Sequence, residues 1–281
     1  MTKSYPLQGK RIVITREKQQ AKEFAEKLKQ AKSIPITIPL ITIDAVEKTK
    51  ELREQVRNIA SYQWIVFTSK NAVTYFFDLL QAVTKQYALP KHMKVAAIGS
   101  KTKKVLETIG VHVHFVPSVF EGDAFATELT EHIQSGERVL FPKGNLARSS
   151  ITEIMQKHHI DVKDLIVYET KENRRSQEGL QEVIAMKQID VLTFSSPSTV
   201  RAFVSLLEGI EWKQQIEGIH IACIGPVTEQ AAIEYGMKPT IVPAVYTFDE
   251  LVKEMINKIG KKERGNDDVT ISTPSSSTSK R

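Results

Sequence analysis

Short runs rich in β-branched and aromatic residues alternate along this chain with longer stretches whose apolar residues recur every three or four positions. RIVIT (11–15) precedes a helical pattern over 19–30, WIVFT (64–68) one over 71–83, and KVAAIG (94–99) one over 102–109. The alternation resumes with RVLFP (138–142), DVLTF (190–194) and HIACIG (220–225), each leading into a further helical stretch. Extended runs with few charges, each followed by an amphipathic helix, are the pattern of repeated βα units, so the chain is expected to be an α/β protein with mainly parallel sheets flanked by helices.

The pattern also repeats itself. Phe67, Ser69, Val73, Phe76, Leu79 and Leu80 return 127 positions later as Phe194, Ser196, Val200, Phe203, Leu206 and Leu207. At an offset of 126, Ala96, Ile98, Gly99, Thr102, Gly110, Val116 and Pro117 return as Ala222, Ile224, Gly225, Thr228, Gly236, Val242 and Pro243. Gly9-Lys10-Arg11-Ile12-Val13 matches residues 136–140 at offset 127, more faintly. The chain therefore reads A–B–A′–B′ and predicts two similar α/β lobes. The repeat alone is compatible with consecutive lobes split near Ser135.

Length and composition narrow the class. At 281 residues, 41% hydrophobic and 26% charged, the chain is expected to form two soluble globular domains. The longest apolar candidate, 34–46, is broken by Pro35, Pro39 and Asp44, so no membrane association is expected, and the opening residues lack the apolar stretch of an export signal. From Gly260 onward Ser, Thr and charge replace apolar residues, which predicts a disordered tail over 263–281. Cys223 is the sole cysteine, which excludes an internal disulfide and suits the reducing cytoplasm. Net charge is +6, of which five basic and three acidic residues from 261 onward supply +2, leaving about +4 on the body. That modest excess suits an anionic small molecule; no basic, aromatic-interleaved patch points to nucleic acid.

Dinucleotide, P-loop, metalloprotease and hydrolase-elbow motifs are all missing. His112 with His114, and His158 with His159, have no suitably spaced acidic or thiol partner, so neither a metal nor a cofactor is expected. Four strand-to-helix junctions remain: Thr68-Ser69, Gly99-Ser100-Lys101-Thr102, Ser195-Ser196 and Gly225-Pro226-Val227-Thr228. Each lies at the carboxyl end of an expected parallel strand, where open α/β sheets bind ligands and where helix N–H groups and the helix dipole favour anions. Small hydroxyl residues there serve equally as plain helix caps, and both readings are open for any one junction. Arg16, Lys143 and Arg148 follow strands of the A-type units, as carboxylate partners or as solvated surface. Tyr168, in the extended run DLIVYET (164–170), is either a half-buried strand aromatic or a phenol placed to donate a proton at a ligand site.

Taken in order, WIVFTSKNAV, AAIGSKT, VLFPKGNLARSSI, DLIVYET, LTFSSPSTV and CIGPVT resemble the uroporphyrinogen-III synthase family over residues 9 to about 257. The resemblance implies two lobes with a cleft between them, joined by a two-stranded ladder and built by exchange: 1–38 with 171–262 in one, 42–167 in the other. It implies a cytoplasmic, monomeric lyase of haem and porphyrin biosynthesis that needs no cofactor. This enzyme would cyclise hydroxymethylbilane, a linear tetrapyrrole with eight carboxylates, to uroporphyrinogen III with loss of water and inversion of ring D. The unstable substrate suggests transient hand-off from hydroxymethylbilane synthase. The family's ligand-contacting junctions fall on Thr68, Ser69, Thr102, Ser195, Ser196 and Thr228, with Ser100, Arg16, Lys143 and Arg148 as further candidates, and its important tyrosine falls on Tyr168. Only the second of two hydroxyls common in the 226–228 loop is kept, so contact at Val227 would fall to its backbone N–H. A non-catalytic sensor of an anionic tetrapyrrole-like ligand is the alternative, which Tyr168 and the hydroxyl junctions disfavour.

Overall fold

The computed structural model of the chain describes residues 5–267. Its elements follow in order as β1 (Arg11–Ile14), α1 (Lys18–Gln30), β2 (Ile34–Thr37), β3 (Ile41–Ala45), α2 (Lys50–Arg57), β4 (Trp64–Phe67) and α3 (Lys70–Thr84). Next come β5 (Lys94–Ala97), α4 (Ser100–Thr108), α5 (Gly122–Thr130), β6 (Arg138–Gly144), α6 (Ser150–Lys157) and β7 (Asp161–Glu172). The chain continues with α7 (Gln177–Ala185), β8 (Val191–Phe194), α8 (Pro197–Leu206), α9 (Trp212–Gln215), β9 (His220–Cys223), α10 (Pro226–Glu234), β10 (Pro239–Ile241) and α11 (Phe248–Asp267). Helix α11 carries the backbone through the first five residues of the tail expected from 263. Residues 268–281 of that expected tail lie outside the described residues.

Two compact units result, one built from the chain up to Thr42 and again from Lys171, the other from Ile43–Thr170. In the first unit the sheet order is β10-β9-β8-β1-β2, with every adjacent pair parallel. Strands β1 and β8 are further stitched by two buried threonines: Thr15 donates to the Thr193 carbonyl at 2.7 Å, and Thr193 donates to the Val13 carbonyl at 2.8 Å. In the second unit the order is β3-β7-β6-β4-β5, where β4 pairs in parallel with β5 and β6, and β6 with β7. Strand β3 runs antiparallel on β7, as Leu40 bonds Asn173 while Val46 bonds Val167.

The central strands of each sheet, β1 and β8 in one and β4 in the other, are covered on both faces, and this is why they read as unbroken apolar runs. In the first unit Ile12 and Ile14 pack with Phe24 and Met255 on one face, while Val13 packs with Leu192, Phe203 and Leu206 on the other. In the second, Ile65 and Phe67 meet Phe76, Phe77 and Leu106, while Trp64 and Val66 meet Phe125 and Met155.

The repeat maps onto these sheets strand for strand. Residues 64–67 of β4 become 191–194 of β8 at offset 127, and 94–97 of β5 become 220–223 of β9 at offset 126. A single bridge between Ala96 and Phe115 occupies the place of the β9–β10 pairing of Ala222 with Ile241. Yet β1 pairs with β8 rather than β4, and β6 with β4 rather than β8. A split near Ser135 would separate β1 from β8 and β4 from β6.

Two tests follow from this pairing. A fragment of residues 43–170 should unfold cooperatively in urea, whereas 1–133, with β1 deprived of β8 and β4 of β6, should show no cooperative transition and should aggregate. Burial pushes the Cys223 thiol up to about 12. A raised thiol pKa contributes stability that is present below the unfolded value of about 8.5 and is lost as pH rises above it. Iodoacetamide at about pH 8 should therefore leave native protein unlabelled and alkylate the urea-unfolded chain; rapid labelling of the native state would contradict the burial.

Candidate active site

Parallel strands end together, so β4, β5 and β6 of the second unit, and β1, β8 and β9 of the first, each deliver their following loops to one sheet edge. After β4, Thr68 is half-buried and Ser69 caps α3, its hydroxyl accepting from the Ala72 N–H at 3.1 Å. After β8 the same geometry recurs: Ser195 is half-buried, and Ser196 caps α8, accepting from the Thr199 N–H at 3.4 Å and bonding the Ser198 hydroxyl at 2.8 Å. In both, an extended serine precedes a helix whose first N–H groups it satisfies, so the cap reading holds for Ser69 and Ser196.

The other two junctions differ. Gly99 and Gly225 take the cap position of α4 and α10 without any side-chain bond, and Gly99 sits at φ +81°, which favours glycine. Ser100 is exposed, while Thr102 and Thr228 are both buried on the inner face of the first helical turn. What these two junctions expose are Ser100 and Lys101 in one and Pro226 and Val227 in the other. Gly225 is extended, and a Cβ there would approach the exposed Tyr246 ring to 3.1 Å. Phe120 stands at the repeat-equivalent place of Tyr246 and is likewise exposed.

The basic candidates separate cleanly. Lys143 is 7% exposed, with its ammonium 2.6 Å from Asp164, whose other oxygen accepts from the Thr152 hydroxyl at 2.6 Å. That charge is neutralised inside the unit, which overturns the reading of Lys143 as a free carboxylate partner. Its repeat counterpart is Arg16, and the repeat counterpart of Asp164 is Thr37, which carries no charge. The Arg16 guanidinium lies 5.0 Å from the Phe248 ring centre, and its Nε donates to the Gln20 side chain at 2.9 Å. Burial lowers its pKa, with Glu17 and Glu23 acting in the opposite sense. Arg16 and Ser195 both line a small recess beside Phe24, Phe194 and Phe248. Arg148 is exposed in the turn before α6.

Tyr168 lies on β7 with its ring partly buried against the core of the second unit. One face stacks on Tyr75 from α3, with ring centres 5.4 Å apart and planes 26° apart. The phenol oxygen is 3.4 Å from the Ser69 hydroxyl, so the β4 junction and Tyr168 come together. The ring also lies directly over Gly144, where a Cβ would fall 2.5 Å from Cε2 and Cζ. A bulge between Lys143 and Gly144 sets this register, pairing Gly144 with Tyr168 instead of Val167. Asn145 extends the pairing: its N–H donates to the Tyr168 carbonyl, and its side chain accepts from the Thr170 N–H at 2.9 Å. Sequence reasoning missed Tyr75 and Gly144.

Hydroxyl caps, helix termini and a packed phenol at the ends of parallel strands suit an anionic ligand, and comparison with known proteins identifies the group. The family described as uroporphyrinogen-III synthase HemD matches residues 22–253. The chain belongs to the uroporphyrinogen-III synthase family. A uroporphyrinogen-III synthase of Synechococcus elongatus is 31% identical over 88% of this chain and 94% of its own length. A porphyrin biosynthesis protein HemD of Ruminiclostridium josui is 28% identical over 89% of this chain, and there the chain spans only about half (49%) of the relative's length. The fold is similar to that of a mutant uroporphyrinogen III synthase from the extremely thermophilic bacterium Thermus thermophilus, with a TM-score of 0.64 over 90% of this chain and all of that one at 17% identity. Among the described residues, no helix is long and apolar enough to cross a membrane and no cluster of three or more His, Cys, Asp or Glu could hold a metal ion.

The Lys143–Asp164 pair generates a stability prediction. Lys143→Met should cost about 2 kcal/mol by stranding a partly buried carboxylate, and adding Asp164→Leu should recover most of it. Urea denaturation of the single and double variants measures both; equal loss in the two would show that the lysine stem, not the charge pair, is what matters.

Proposed function

We propose that this protein carries out the reaction for which its family is named, closing hydroxymethylbilane to uroporphyrinogen III with loss of water and inversion of ring D. The observation that carries the reading beyond family membership is the meeting of Tyr168 with Ser69 at the carboxyl end of β4, in a partly buried setting. Loss of the terminal hydroxyl of the bilane produces an azafulvene, an electrophile that water would quench. Attack by the substituted carbon of ring D gives a spiro intermediate, which fragments and recloses with the ring inverted. The phenol of Tyr168, with Ser69 beside it, donates a hydrogen bond or proton to the departing hydroxyl; general acid assistance of this kind is worth ~10²–10⁴-fold.

Holding the flexible chain in a reactive fold falls to groups that bind carboxylates. In this reading the helix starts after Gly99 and Gly225 contribute backbone N–H groups, Thr68, Ser100, Ser195 and Ser196 contribute hydroxyls, and Arg148 adds surface charge. Thr102 and Thr228, being buried, shape those helix starts from within. Arg16 takes one carboxylate, since no carboxylate stands where its repeat counterpart Lys143 has Asp164. The protein acts as a cytoplasmic monomer and takes its substrate by transient hand-off from hydroxymethylbilane synthase, because a free bilane cyclises unaided to the wrong isomer.

The test is to supply freshly made hydroxymethylbilane and identify the uroporphyrin isomer after oxidation. Isomer III is expected; isomer I alone, at the rate of the enzyme-free control, defeats the proposal. Tyr168→Phe should retain folding and lose ~10²-fold or more in turnover, whereas Arg16→Gln should raise KM several-fold with a smaller change in kcat. Wild-type turnover in Tyr168→Phe would reduce the phenol to a packed strand residue.

A further inference from the structure

The two units are close copies at their cores, so the places where the copies differ are informative. On α3 and α8, Val73 and Val200, Phe76 and Phe203, and the capping Ser69 and Ser196 are kept in both. Tyr75, between them, becomes Ala202. Gly144 becomes Glu17 and Tyr168 becomes Ile41 at the same offset. The first unit thus builds the counterpart helix α8 without an aromatic residue at the place of Tyr75, and its β1 ends before the place of Gly144, where Glu17 caps α1, so the extended end of β6 with its glycine and the tyrosine pair belong to the second unit.

We propose that Gly144 and Tyr75 are positioning residues that hold the Tyr168 phenol in one orientation beside Ser69. Gly144 supplies the floor: a methyl group there would occupy the space of ring atoms Cε2 and Cζ at 2.5 Å and of the phenol oxygen at 2.8 Å. Tyr75 supplies the wall, with its ring stacked on Tyr168 and its hydroxyl donating to the Ile43 carbonyl at 2.6 Å. Ile43 lies on β3, the strand paired with β7, so the wall is fastened to the strand beside the one that carries Tyr168. A phenol packed against both Tyr75 and Gly144 does not have to be ordered as the reaction proceeds, and misplacement of a reacting group by about 1 Å can cost ~10²-fold in rate. This inference rests on the role proposed for Tyr168 and adds the residues through which the fold aims it.

The experiment uses the full-length protein and measures isomer-III formation, corrected for spontaneous isomer I, together with thermal unfolding. Gly144→Ala should lower kcat ~10–100-fold with KM within about twofold, and Tyr75→Leu should lower kcat less. In a Tyr168→Ala background the ring that the methyl strikes is gone, so Gly144→Ala should leave kcat and melting temperature where that background set them, and Tyr75→Leu, which still loses its bond to Ile43, should leave kcat there. If Gly144→Ala alone fails to fold, recovery of folding in Gly144→Ala/Tyr168→Ala is the expected result, and Tyr75→Phe, which keeps the ring and removes the hydroxyl that bonds Ile43, should still lower kcat. Equal losses in both backgrounds, or wild-type kcat in Gly144→Ala and Tyr75→Leu while Tyr168→Phe is crippled, would overturn the positioning role. Wild-type kcat in Tyr168→Phe would instead remove the role of the phenol itself.

Discussion

Parallel pairing of β1 with β8, and of β4 with β6, governs everything else in this protein, because parallel strands bring their carboxyl ends to a single edge. Each edge then collects several helix starts, with their unpaired N–H groups and positive dipole ends, around one region of each unit. Few charged side chains are needed to attract carboxylates when the backbone already supplies donors. That is consistent with a body carrying only a small positive excess, with Lys143 neutralised by Asp164 and Arg16 as the partly buried basic group at its strand end.

The same pairing makes the first unit discontinuous in sequence. Strand β1 is a short apolar segment near the start of the chain, and its neighbour β8 begins 177 residues after Ile14. The buried bonds of Thr15 and Thr193 to each other's strands reinforce that contact, and neither hydroxyl has water to fall back on. The chain crosses between units within β3 and within β7, and these strands are hydrogen-bonded to one another. Tyr168 lies two residues before the second crossing, on the strand that leads out of its unit.

Duplication supplies an internal control on what the scaffold needs. The apolar positions, the capping serines and the glycines that start α4 and α10 are common to both copies. The Tyr75–Tyr168–Gly144 cluster and the Lys143–Asp164 pair belong to one copy only. One copy therefore carries a packed phenol with a neutralised lysine, and the other an arginine without that carboxylate.

Sequence by itself determined the local content of this molecule. Unbroken apolar runs set β1, β4, β5, β6, β8 and β9, because strands covered on both faces have no polar side to show. The three-to-four-residue spacing set α1, α3 and α4 to within two residues at either end. Hydroxyls before helices marked Ser69 and Ser196 as caps, since capping is a contact within one turn of chain. Tertiary structure alone decided what depends on distant partners. The repeat fits either strand exchange or consecutive lobes, because a strand's sequence records that it is buried and not which neighbour buries it. Lys143 and Arg16 look alike along the chain, and only the arrival of Asp164 from the neighbouring strand distinguishes them. Thr102 and Thr228 read as ligand-contacting or capping hydroxyls along the chain, and only the rotation of α4 and α10 turns them inward. The surroundings of Tyr168 were the least legible of all, because a helix and a bulged strand ending in a glycine, from two separate stretches, must close on one ring before its position has any meaning.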